Sequence, residues 1–156
     1  MSDLSSADNA SRNDATITSL FNALEQGDIA RALTFWAEDC HDKAAVHGAA
    51  AARLGVRQTL EFVHAAFPTA RWQVTDMVCD QESVACQVTV IGAQLGEIYG
   101  VPPTGQRVRW RHFHFFRLRD AVIVEHDAVR DDRGLLQQLQ AQQLRDGSPA
   151  KHPSVS

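Results

Sequence analysis

Three histidines stand where their spacing can do proton chemistry: His112 and His114, two apart in RVRWRHFHFFRLR, and His126 in VIVEHDAVR. Both segments alternate with the two-residue period of a strand. Successive strand side chains point to opposite faces, so Val108, Trp110, His112, His114, Phe116 and Leu118 share one apolar face. The other face carries Arg107, Arg109, Arg111, Phe113, Phe115, Arg117 and Arg119. The first face is expected to look into a core or cavity, and the arginine-rich one to meet solvent or another subunit. An imidazole in a partly apolar pocket titrates near neutral pH and serves as acid or base. If a tight turn at 119–121 pairs Leu118 with Val122, the ladder puts His114 beside His126 and His112 beside Ala128; a one-residue bulge replaces His126 by Asp127. The candidate catalytic residues are therefore His114, His126 and Asp127.

Three readings of the cluster stay open on the residues alone. The histidines are satisfied core groups, or proton carriers, or, with His112, His114 and His126 together, a metal site. No H-E-x-x-H accompanies them, and no metal is expected. The chain also lacks G-x-G-x-x-G, a P-loop and G-x-S-x-G, so no cofactor is expected either. Cys40 and His41 are adjacent, which is no evidence that they meet as nucleophile and base. Around the histidines, Trp36, Phe67, Trp110, His112 and Phe116 have the periodic faces to line an apolar cavity, and Tyr99 and His47 lie on loops that suit its rim. The same aromatics also fit a plain core.

The elements that must position these residues fall in a simple order. Ile17, Leu20, Phe21 and Leu24 make a helical stripe ending at Gly27, and Asp28 caps a short second helix with Ile29, Leu33 and Trp36. A loop is expected from about Asp39 to Leu54, with Asp39 ordering it, then a third helix with Val56, Leu60, Val63 and Phe67, stopped by Pro68. Four strands follow, 71–79, 84–92, 107–118 and 122–129, then a final helix with Leu135, Leu136 and Leu139, whose start explains Asp131 and Asp132. Helices followed by hairpin-linked strands predict an α+β fold: a cone-shaped curved antiparallel sheet packed against N-terminal helices and enclosing an apolar pocket.

Composition bounds the alternatives. With 156 residues, 44% hydrophobic and 22% charged, the chain has the size and composition of one globular domain. The expected limits are a disordered tail at 1–12, the domain at 13–144 and a second disordered tail at 145–156. A net charge of −4 argues against a nucleic-acid partner. There is no apolar run of membrane-spanning length and no secretion signal, so no membrane partner is expected. Three cysteines, Cys40, Cys79 and Cys86, without C-x-x-C spacing favour reduced thiols and a cytoplasmic location.

GVPPTGQR (100–107) and HDAVRDDRGLLQQL (126–139), with Gly27-Asp28, Asp39, Phe67-Pro68 and the inward His114, resemble the SnoaL-like polyketide cyclases of the nuclear-transport-factor-two-like superfamily. The resemblance runs from the first helix through the last. It implies an α+β cone, usually a homodimer, with an apolar pocket and cofactor-independent chemistry. It further implies intramolecular aldol closure of a polyketide-like or other apolar carbonyl substrate, with a histidine matching His114 and an aspartate where this chain has Ala128. Asp127 turned inward by a bulge, or His126, is then expected to take the proton role. An epoxide hydrolase-like enzyme of the same fold and a non-catalytic small-molecule-binding module are the alternatives.

Phe113 and Phe115 project on the face that the helices leave uncovered. Two exposed phenylalanines beside arginines suit an interface between copies, so a homodimer through this outer face is expected.

Overall fold

The computed structural model describes residues 2–146, with side chains given for 5–141. The expected tail at 145–156 lies mostly outside the described residues. Four helices, α1 (Ser2–Glu25), α2 (Ile29–Leu33), α3 (Ala52–Ala66) and α4 (Asp132–Asp146), accompany five strands: β1 (Trp36–Asp42), β2 (Arg71–Cys79), β3 (Ser83–Ala93), β4 (Arg107–Arg119) and β5 (Val122–Arg130). The helix α1 already begins at Ser2, inside the segment expected to be a tail. The strands form one open sheet in the order β1-β5-β4-β3-β2. β2 to β5 are antiparallel neighbours, whereas β1 joins the β5 edge in parallel.

Along β4 burial alternates without exception, from exposed Arg107 to exposed Arg119. This is the signature of a strand with one face on a core and one face open. Ile17, Leu20, Phe21 and Leu24 of α1 and Val56 of α3 pack on the inner face with Trp36, Phe116 and Ile123, forming one apolar cluster. A second cluster joins Val63 of α3 and Phe67, the residue that ends that helix, to Trp110, Leu135 and Leu139. His112 and His114 lie on the strand between them. β4 outruns β5 at its start, and Gln138 of α4 occupies that free edge, accepting from the Arg109 N–H and donating to the Arg109 carbonyl, both at 2.9 Å.

Two features differ from the sequence reading. Trp36 starts a strand rather than continuing α2, and the segment expected to be loop from Asp39 is β1 as far as Asp42. Its acidic, mixed sequence WAEDCHD hides the period because only Trp36 and Cys40 are buried. The β4–β5 hairpin also has another register. Asp120 and Ala121, with φ of 50° and 59°, form the two-residue turn, so Leu118 faces Ile123 instead of Val122. A register shift between Arg117 and Leu118 then leaves Val124 unpaired. The two offsets add to a slip of two residues, so His126 still faces inward, but His114 pairs with Ala128 rather than with His126.

Candidate active site

The inward polar side chains form a chain of hydrogen bonds. His114 Nδ1 lies 2.9 Å from His126 Nε2, and His126 Nδ1 lies 2.8 Å from Asp42 Oδ1. β1 delivers the carboxylate: Asp42 is the parallel partner of His126, and the next residue, Lys43, donates its N–H to the His126 carbonyl at 2.9 Å. The Ala44 N–H also donates to Asp42 Oδ1, at 3.0 Å, which fixes the rotamer of a side chain only 5% exposed.

The carboxylate orders the protons. The Asp42 carboxylate accepts a hydrogen bond from His126 Nδ1–H, which leaves His126 Nε2 a lone pair. His126 Nε2 therefore accepts from His114 Nδ1–H, and His114 Nε2 carries the free lone pair. That nitrogen is buried and has no hydrogen-bond partner among the described residues. Burial, then the neighbouring His126, His112 and Arg130, holds the His114 pKa well below the ordinary 6.5. His112 is pushed down to about 3, mainly by burial and next by Arg130. Both rings are neutral at physiological pH, as a base must be before it acts.

These groups border a cavity of about 40 Å³. Its walls are apolar (Phe21, Trp36, Val56, Leu60, Trp72 and Phe116), with Asp42, His112, His114, His126 and Arg130 as the polar part together with Thr59. Phe116 stacks on His126 with centroids 4.6 Å apart, and Trp36 meets the same ring edge-on at 5.4 Å. A second, larger cavity of about 440 Å³ lies outward, lined by His47, Phe62, Glu97, Tyr99 and Asp132, and Arg130 borders both. Burial, followed by the charge of Asp132, pushes the Tyr99 phenol up to about 12.

Of the residues singled out in the sequence, His114, His126, His112, Trp36 and Phe116 meet at the inner cavity. Tyr99 and His47 line the outer one. Phe67 and Trp110 belong to the second apolar cluster, their rings 6.0 Å apart, and Trp110 reaches the site by its edge contact with His112 at 4.3 Å. Asp127 does not join them: it pairs with Phe115, is exposed, and accepts from the Ala128 N–H. Asp39 is exposed on β1, and Asp131 caps α4 through the Gly134 N–H at 2.9 Å. Cys40 is buried and His41 exposed, on opposite faces of β1. Among the described residues, no group of three or more His, Cys, Asp and Glu is arranged to hold a metal ion. Sequence reasoning missed Asp42 and Arg130.

The family model of SnoaL-like polyketide cyclases matches residues 15–139. The chain belongs to this family. Among solved structures, this SnoaL-like protein is similar to AclR of Streptomyces galilaeus, a candidate hydroxylase, at 26% identity and TM-score 0.76, covering 85% of this chain and 98% of that one. It is similar to wild-type IdmH of Streptomyces antibioticus, a candidate polyketide cyclase, at 29% identity and TM-score 0.73, covering 82% and 98%. A SnoaL-like structure from Jannaschia shares the fold at 21% identity and TM-score 0.75, covering 85% and 94%. No curated protein matches the SnoaL-like chain significantly in sequence. The mixed five-stranded sheet with four helices is thus the fold of these relatives, and no helix among the described residues is long and apolar enough to cross a membrane.

Proposed function

We propose that this SnoaL-like protein catalyses ring closure or isomerisation of an apolar, polyketide-like carbonyl compound by proton transfer, without a cofactor. One observation carries the reading: the Asp42–His126–His114 chain ends in a free imidazole nitrogen on a residue that borders an apolar cavity. The family resemblance implies a carboxylate opposite the histidine on the last strand, where this chain has Ala128. Asp42 supplies a carboxylate from β1 instead.

In the reaction, His114 Nε2 removes a proton from the carbon beside a carbonyl, breaking the C–H bond and leaving an enolate. The proton charge spreads along the relay as His114 passes its Nδ1 hydrogen to His126, placing the imidazolium against the Asp42 carboxylate. The enolate carbon attacks a second carbonyl of the same molecule, forming the C–C bond. The resulting alkoxide recovers the proton from His114 Nε2, and the relay returns to its starting tautomers. No net proton, electron or cofactor is consumed. General acid–base transfer of this kind contributes about 10²- to 10⁴-fold, and holding both carbonyls in contact contributes through the lost freedom of the chain.

The test needs no natural substrate. Wild-type protein in D2O should catalyse deuterium uptake beside the carbonyl of an aryl ketone such as 1-tetralone, followed by mass spectrometry. His114→Gln should lose about 10²-fold of that rate while melting as wild type does. Equal exchange with the two proteins would remove His114 as the base. Incubation with epoxides, read for the mass of added water, separates the epoxide-opening alternative.

We also propose that the protein works as a homodimer through the outer sheet face. Phe113 and Phe115 are exposed there beside Val129, and Arg117 lies over the Phe115 ring at 5.3 Å. A small apolar centre with an arginine rim is self-complementary across a two-fold axis.

A further inference from the structure

We propose that Arg130 is an oxyanion-binding residue, which takes the enolate oxygen of the substrate at the junction of the two cavities. This rests on the acid–base reading for the source of the enolate; the anion site itself stands on four observations. Arg130 borders both cavities, and it is the only Lys or Arg lining the inner one among the described residues. Among the described residues its guanidinium makes one hydrogen bond, from Nη1 to the Ala44 carbonyl at 3.0 Å. No carboxylate of the described residues pairs with it, in contrast to Arg53, Arg57, Arg71 and Arg117. Finally, Ala44 is also the residue whose N–H fixes Asp42, so a single turn aims both the proton relay and the cation.

Size assigns the parts of the ligand. The inner cavity has room for only a few waters, whereas the outer, at about 440 Å³, is within the range that takes a small organic molecule. The body of the substrate therefore occupies the outer cavity, against Phe62 and Tyr99, whose rings are 5.8 Å apart. Only its reacting end passes Arg130 toward His114. Glu97 and Asp132 line the outer cavity and disfavour an anion there. Inside, Asp42 Oδ1 already accepts from the Ala44 N–H and pairs with His126 Nδ1, and His112 and His114 are neutral. A charge that develops beside His114 thus finds one permanent cation with N–H donors to spare, besides the imidazolium that the proton transfer itself creates and that Asp42 pairs.

The experiment is equilibrium binding of three probes of one size: 4-nitrophenolate as the enolate analogue, benzoate as a carboxylate, and nitrobenzene as the neutral control. Wild-type protein should bind 4-nitrophenolate best. Arg130→Gln should weaken it about tenfold or more and leave nitrobenzene unchanged, with Arg130→Lys recovering part. His114→Gln should keep the phenolate affinity, so loss of deuterium exchange and loss of anion binding are separately readable. In wild-type protein 4-nitrophenolate should also shield Arg130 from phenylglyoxal, read by peptide mass, which covers a folding failure of either variant. Phenolate affinity within twofold in a folded Arg130→Gln, or an unshielded Arg130, would overturn the proposal. Arg130-dependent binding of benzoate with none of 4-nitrophenolate would overturn the enolate assignment in favour of a substrate carboxylate.

Discussion

His126 Nε2 stands 2.9 Å from His114 Nδ1 although the two residues are not opposite one another: His114 pairs with Ala128, and His126 with Phe116. The contact is diagonal across the ladder. A direct pair would bring the rings side by side over the strands, whereas the diagonal leaves the space opposite His114 to the methyl group of Ala128. It also lets Phe116 stack on His126 and hold the ring in line with Asp42. The three polar groups run from the parallel edge of the sheet toward its middle, which gives the proton path one direction.

Asp42→Asn is the substitution that tests the order of protons along that path. The amide still bonds His126 but no longer offers a full negative charge to an imidazolium. Turnover, or deuterium exchange as its proxy, should fall by about 10²-fold, with the fold intact by circular dichroism. Asp42→Ala should in addition cost about 1–3 kcal/mol of stability, because it strands the buried His126 Nδ1 and frees the Ala44 N–H. An exchange rate in Asp42→Asn equal to wild type would take the carboxylate out of the relay.

Stability should depend on pH through His112 and His114. Both have folded pKa values below the ordinary 6.5, about 3 for His112. Below pH 6.5 the unfolded chain binds protons that the folded chain refuses, so stability is full above that pH and is lost on acidification. Each group contributes a slope of up to about 1.4 kcal/mol per pH unit in the window where only its unfolded form is protonated. Denaturant unfolding should therefore give lower midpoints at pH 5 than at pH 7. In His112→Phe the slope should be shallower, and an unchanged slope would show that His112 is charged in the native state.

Most of this architecture was legible from residue spacing, and the reasons for the rest are local. The alternation along Arg107–Arg119 is complete because β4 is central, with neighbours on both sides and helices on one face. β1 is an edge strand with only two buried apolar residues in seven, too few for a period to show. Asp42 was lost with it, since a parallel pairing between residues 84 apart leaves no local trace. His126 was found through a register that the structure revises: two one-residue offsets, at the Asp120-Ala121 turn and at Val124, restore its facing. One such offset alone would bring Asp127 inward. The second sends it out.

Gln94 should prove the strongest positioning residue outside the site. Fully buried, it donates to the carbonyls of Gly96, Val101 and Pro102 and accepts from the N–H and hydroxyl of Thr104. One amide thus ties down the loop that carries Tyr99 to the wall of the outer cavity. Gln94→Leu keeps the volume and strands these groups, at a cost of about 1–3 kcal/mol for each that finds no water. The variant should melt several degrees lower and bind nitrobenzene more weakly, while the deuterium-exchange rate at saturation stays near wild type. A lower rate at saturation with unchanged binding would place the loop in the chemistry instead.

The outer face gives the last prediction. Phe113, Phe115 and Val129 are 52%, 38% and 74% exposed, and together with Ala85 and Ala128 they border a shallow depression of about 320 Å³. The helices cannot cover it, because their apolar stripes are committed to the histidine-bearing side. A monomer leaves this patch in water, whereas two copies meeting face to face bury all three side chains and set Arg111 and Arg117 at the rim. Light scattering at micromolar concentration should report twice the chain mass. Phe115→Asp places a carboxylate in the middle of the contact and should return the single-chain mass with an unchanged circular dichroism spectrum. Because His114 faces the other way, exchange activity per chain in that monomer should stay within about twofold of wild type if each site is complete in one subunit. Single-chain mass for the wild-type protein would refute the contact.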